Sequence, residues 1–266
     1  MNDALMPMLW AALALVCLLF LQRWIHAHLH GVSLLLVGRP EWAVIVYAVV
    51  LFPGVLLHEG SHWLAATLLG VRTGDVSLLP RRQADGTLQL GYVEYYKGPR
   101  VGPIRESLIG AAPLVAGTLI ILLIGHRVFG VTSLADAIRS GDVTILADAM
   151  AQILAVPNVL VWLYLIFAIS NAMMPSRSDR HAWPAFAVIM GVVALVVGFL
   201  GRNTPLLDNL TQPVAVLFGY LGTAFSIAIA VDLLCIGFIA LAEWALGRLR
   251  GASVVYGRNA NEETAT

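Results

Sequence analysis

Apolar residues run along this chain in long blocks separated by short polar intervals. A helix that crosses about 30 Å of hydrocarbon needs roughly 20 apolar residues. Six stretches meet or approach that length: 4–21, 42–69, 107–125, 156–174, 183–200 and 213–246. The last is long enough to tilt or to project from a bilayer. Residues 143–155 form an amphipathic lead-in to the fourth stretch, with a break expected at Pro157. Residues 30–38 are too short to span and are expected to lie at the interface or to re-enter. The pattern predicts an all-α polytopic membrane protein of about six transmembrane helices, forming a single integral-membrane domain over residues 1–266.

The one sizeable polar interval is 71–105. It contains Asp85-Gly86, a two-residue hairpin signal, flanked by strand-like runs at 75–79 and 87–95. Leu88, Leu90 and Tyr92 alternate with Thr87, Gln89 and Gly91, as in a half-exposed strand. A small β-hairpin in this second loop is expected, with a plain connecting loop as the alternative.

Composition sharpens the class. The 266 residues are 59% hydrophobic and 12% charged, against roughly 25% charged in a soluble domain. So little charge cannot cover a globular surface, which excludes a soluble enzyme, a disordered regulator and a basic nucleic-acid binder. Net charge is zero, so no overall field draws in a charged partner. Cys17 and Cys235 lie far apart in apolar runs, which argues against a disulfide framework or a Cys-rich zinc site. No Lys or Arg precedes the first apolar block and Asp3 does, so that block is expected to be a retained span rather than a cleaved signal. With six spans, eleven Lys and Arg fall on the side of the termini and the second and fourth loops, against Arg23, Arg39, Arg127, Arg139 and Arg202 on the other. The bias predicts that both termini and the long second loop are cytoplasmic. The expected location is an integral, multi-pass one, in the cell membrane if the source is prokaryotic.

Ionisable residues inside the blocks carry the chemistry. The second block contains His58-Glu59-Gly60-Ser61-His62, an HExxH motif. Residues four apart share a helix face, so both imidazoles can bind one metal, and Glu59 can serve as general base toward a water whose pKa zinc lowers toward 7. A charge at mid-bilayer costs roughly 2.5–3.5 kcal/mol even on the lenient insertion scale. Two histidines and a glutamate in five positions therefore call for compensation. A metal is one form of it; an internal hydrogen-bonded cluster or a transporter's proton path is another. Catalytic zinc needs a third protein ligand. Asp179 is the leading candidate, because Pro175 ends the fourth block on the side where the HExxH span ends. His181 is its rival, and a solvated Asp179 paired with Arg177 or Arg180 is the alternative.

These residues resemble the site-2 protease family of intramembrane zinc metalloproteases. That family pairs HExxH in one span with N-x-x-P…D-G in a later one. Asn171 and Asp179 match it in spacing, whereas Pro175 lies four residues after the Asn and Arg180 stands where the family has Gly. Gly110-Ala111-Ala112-Pro113-Leu114 is similar to the family's G-P-L element. The resemblance covers about residues 42–180. It implies a catalytic core there, with one Zn2+ per chain held by His58, His62 and Asp179, Glu59 activating water, and Asn171 positioning or polarising the substrate. The implied reaction is hydrolysis of a peptide bond in a transmembrane protein substrate within the lipid bilayer. A helix hides its carbonyls in its own hydrogen bonds, so such a substrate must be extended, and the hairpin could offer it an edge strand. Competing readings are a membrane transporter or metal-handling protein, and a protease-like binding protein without activity.

Other polar residues have plainer expectations. His26, His28 and His30 point different ways on a helix, so a solvated interfacial cluster is favoured over a metal site. Asp232, in the last block, faces a cavity, pairs within the bundle or sits near a boundary.

Overall fold

A computed structural model describes residues 2–77, 81–82, 88–89, 91–95, 102–176, 179, 181, 184 and 206–256. The described chain is mostly helical. Four helices are long and apolar enough to cross a membrane, and a sharply bent pair could supply a fifth. The expected span at 183–200 falls almost wholly outside the described residues, so six spans are not recovered.

Helix α1 (Asn2–Val37) runs unbroken for 36 residues, about 54 Å at 1.5 Å per residue. It therefore includes both the predicted span 4–21 and the stretch 30–38 that was expected to be interfacial or re-entrant. No Gly-Pro pair interrupts it, and internal polar groups such as Ser33, which donates to the Leu29 carbonyl at 2.8 Å, are satisfied locally. It ends at Gly38, whose φ of +72° suits glycine, and Pro40 then opens α2 (Pro40–Leu68). Helices α3 (Pro103–Arg127), α4 (Val131–Ser140), α5 (Val143–Leu154) and α6 (Val159–Ala172) follow. The long α7 (Leu206–Arg250) completes the helices among the described residues.

The expected break near Pro157 is present: α5 and α6 meet at 88°. Helix α6 has only 14 residues, about 21 Å of rise, and is too short to cross a bilayer alone. Its C-terminal end consequently lies within the bundle beside α2. Gly54 of α2 permits this, because a Cβ there would lie 2.6 Å from the Ala168 carbonyl carbon and 2.7 Å from the Ala172 Cβ.

Helices α1 and α7 run parallel along most of their length. Trp10 donates to Ser226 Oγ at 3.2 Å near one end, and Arg250 donates to the Leu36 carbonyl at the other. Asn2 and Arg250 thus lie at opposite ends of this pair. Leu18 and Ile25 of α1, Leu51 of α2, Ile121 of α3, Ile166 of α6 and Val231 of α7 meet in the main core.

The second loop contains antiparallel pairing, as expected. Strand β1 (Thr73–Ser77) pairs with β4 (Tyr92–Tyr95), and β2 (Arg81–Arg82) pairs with β3 (Leu88–Gln89). A two-residue loop at Asp85-Gly86 would set Arg82 opposite Gln89, whereas the ladder pairs Arg82 with Leu88. The turn itself lies outside the described residues. Helix α2 contacts both β1 and β4, so this sheet sits against the helix that carries HExxH.

Candidate metal centre

The i, i+4 spacing brings the His58 and His62 rings to 4.7 Å between centroids. Each ring is held from behind. The Nδ1 of His58 lies 2.6 Å from the Ala172 carbonyl of α6, and that of His62 lies 2.9 Å from the Ile109 carbonyl of α3. A carbonyl oxygen only accepts, so both Nδ1 atoms carry the proton and both Nε2 atoms offer lone pairs. Those two Nε2 atoms are 3.1 Å apart. The carboxylate of Asp179 completes the group, with Oδ1 at 3.2 Å from His62 Nε2 and Oδ2 at 3.6 Å from His58 Nε2.

Three ligand atoms converging in a mostly buried site could hold a metal ion among them. Tetrahedral zinc with bonds of about 2.0–2.1 Å has ligand–ligand edges of roughly 3.3–3.4 Å. The observed edges of 3.1, 3.2 and 3.6 Å bracket that value. Among the described residues, His58, His62 and Asp179 are the group able to hold a metal ion. The pattern of imidazoles with Nδ1–H on carbonyls and Nε2 toward the ion is the usual way ligating histidines are oriented.

Backbone contacts place Asp179. Its Oδ2 accepts from the Ser176 N–H at 2.7 Å, forming a tight turn after Pro175. Gly110 of α3 admits the Asp179 backbone, which a Cβ at that position would obstruct. The rival ligand His181 is exposed and lies 3.9 Å from Glu106 Oε1, outside the metal-capable group.

Glu59 is buried on α2, one residue from His58 and three from His62. Gly91, just ahead of β4, packs directly on it. A Cβ at Gly91 would lie 2.8 Å from Glu59 Cγ and 3.1 Å from both Glu59 Oε1 and the Ser77 carbonyl. The sheet therefore shields Glu59 from solvent, and only glycine allows that approach.

Asn171 points elsewhere. Its Nδ2 donates to Asp232 Oδ1 of α7 at 2.9 Å and to the Phe167 carbonyl at 2.9 Å. Of the three further histidines, His26 bonds Tyr47 OH at 2.6 Å and His28 bonds Glu243 at 2.6 Å, while His30 is exposed. They diverge as helical spacing requires, but His26 and His28 are partnered within the bundle rather than solvated. Sequence reading missed the carbonyls of Ala172 and Ile109, which carry no side-chain signal, as well as Gly91 and Gln22.

No protein-family model, curated protein or solved structure matches this chain.

Proposed function

We propose that this chain is a zinc-dependent intramembrane endopeptidase of the site-2 protease type, acting on transmembrane protein substrates. The observation that carries the reading is the convergence of His58 Nε2, His62 Nε2 and an Asp179 oxygen at tetrahedral-edge separations, beside a buried glutamate, in an apolar helix bundle. His58, His62 and Asp179 would hold the ion, leaving a fourth position for water or substrate. Zinc bound there supplies Lewis acidity and acidifies water toward neutral pH.

The remaining steps belong to the chain. Glu59 accepts a proton from the attacking water and delivers it to the nitrogen of the departing amine. The bundle excludes bulk water, which strengthens these charge interactions. The β1–β4 sheet lies against α2 at Glu59 and offers backbone edges to an unwound substrate segment. Asn171, turned toward Asp232, acts on substrate only if its amide is released from that bond.

A metal-handling protein needs the three ligands but has no use for Glu59, and this decides the test. Glu59→Gln is expected to retain stoichiometric zinc and to lose at least about 100-fold in cleavage of a transmembrane reporter. Asp179→Ala is expected to lose zinc. Normal cleavage by the Glu59→Gln protein would overturn the mechanism.

A further inference from the structure

A helix that stops within a membrane bundle leaves its last four carbonyls without intrahelical partners, and no water is at hand to satisfy them. Helix α6 stops in this way, and three of the four have hydrogen-bond partners. The Ile169 carbonyl takes the Met173 N–H at 2.9 Å. The Ser170 carbonyl takes Gln22 Nε2 of α1 at 2.6 Å. The Ala172 carbonyl takes His58 Nδ1. The end of α6 is thus capped by side chains from α1 and α2, and one of those caps is a metal-ligating ring.

A second clasp comes from α7. Asp232 is fully buried, and its Oδ1 accepts from Ser170 Oγ at 3.0 Å and Asn171 Nδ2 at 2.9 Å. These are the two residues immediately before Ala172. A carboxylate in an apolar span is costly to keep, and here its contacts fall on the turn that presents a carbonyl to His58. Displacing that turn removes the partner of His58 Nδ1 and lets the ring rotate.

We infer that Asp232 on α7 and Gln22 on α1 are positioning residues for the metal centre, acting by holding the last turn of α6 against His58. The inference rests on the proposed metal centre and adds to it two residues from the first and last helices, neither of which touches the ion. The loss expected on removing such a support is about 10–100-fold in metal affinity.

The test uses the full-length protein in lipid nanodiscs. Zinc affinity is measured by competition with a chromophoric chelator, and Co(II) substitution reports ligand geometry through its visible absorption. The wild type is expected to bind one zinc. Asp232→Leu and Gln22→Leu are each expected to lower affinity about 10–100-fold and to alter the Co(II) spectrum. Asp232→Asn, whose carbonyl oxygen still accepts from Ser170 and Asn171, should stay within about threefold of the wild type. Ser226→Ala removes the Trp10 bond on the same α1–α7 pair away from α6, and it should also stay within about threefold. If Asp232→Leu does not accumulate in membranes, Gln22→Leu decides by the same criterion. Wild-type affinity in the leucine variants, or an equal loss in Ser226→Ala, would overturn the inference. A wild-type protein that takes up no zinc would instead overturn the metal centre itself.

Discussion

Gly110→Ala is the smallest change that should dismantle the metal centre without touching a ligand. A Cβ at residue 110 would lie 3.0 Å from the Asp179 carbonyl carbon and 3.4 Å from its Cα, and closer still to the carbonyl oxygen. Ordinary C···O contacts are about 3.3–3.6 Å, so relief requires the Asp179 backbone or α3 to move by roughly 1 Å. Backbone on both sides cannot swing aside as a long side chain would. Ligand distances tolerate only about ±0.2 Å, so a shift of that size takes Asp179 out of the ligand set. Movement of α3 instead would disturb the neighbouring Ile109 carbonyl that orients His62. Either response should weaken zinc binding by at least about 10–100-fold, or about 1.4–2.7 kcal/mol. Chelator competition on the nanodisc-embedded protein measures this directly. Gly237→Ala is the matched control, since a Cβ there meets nothing within 4 Å; it should leave zinc affinity unchanged. Unaltered affinity in Gly110→Ala would refute the placement of Asp179 against α3.

Two further outcomes separate the parts of the site. Gly91→Ala puts a methyl 2.8 Å from Glu59 Cγ, so it should keep zinc yet lower kcat by about 10–100-fold, as a displacement near 1 Å of a reacting group does; loss of zinc would contradict this division. Asp142 caps α5 by accepting from the Thr144 side chain and N–H at 2.6 and 2.8 Å, and these bonds lower its pKa below the usual carboxylate range. A lowered pKa means that the cap stabilises the folded form above the unfolded value near 4 and that this is lost as pH falls through the folded value. Hydrogen exchange at the start of α5 should therefore accelerate on acidification beyond its intrinsic pH dependence, and Asp142→Asn should abolish that extra response.

Much of the site was legible because its signals are local. The four-residue spacing places His58 and His62 on one face whatever surrounds the helix. In a chain with 12% charged residues, the carboxylates near block ends are few, and the break at Pro175 singled out Asp179. Hidden from sequence were the groups that orient these ligands. Ala172 is 114 residues from His58, and Ile109 is 47 from His62. Each contributes a backbone oxygen, which every residue has. His26 was misjudged as solvated for the same reason: its partner Tyr47 lies across the α1–α2 turn, and periodicity says nothing about what a face meets.

The sequence by itself determined that the chain is a set of apolar helices, that 71–105 is its polar excursion and that HExxH lies in lipid-compatible surroundings. Those properties follow from hydrophobic block length and residue type, which act over a few turns. Tertiary structure decided that α1 continues through 30–38, that α6 stops short inside the bundle and that α1 and α7 run parallel. It also decided that carbonyls left open at the end of α6 become hydrogen-bond partners for Gln22 and His58. Hydrophobicity drives a segment into the bilayer, but it does not choose the segment's neighbours. In a medium without water, unsatisfied backbone groups make that choice, and here they bring distant helices together around the candidate metal centre.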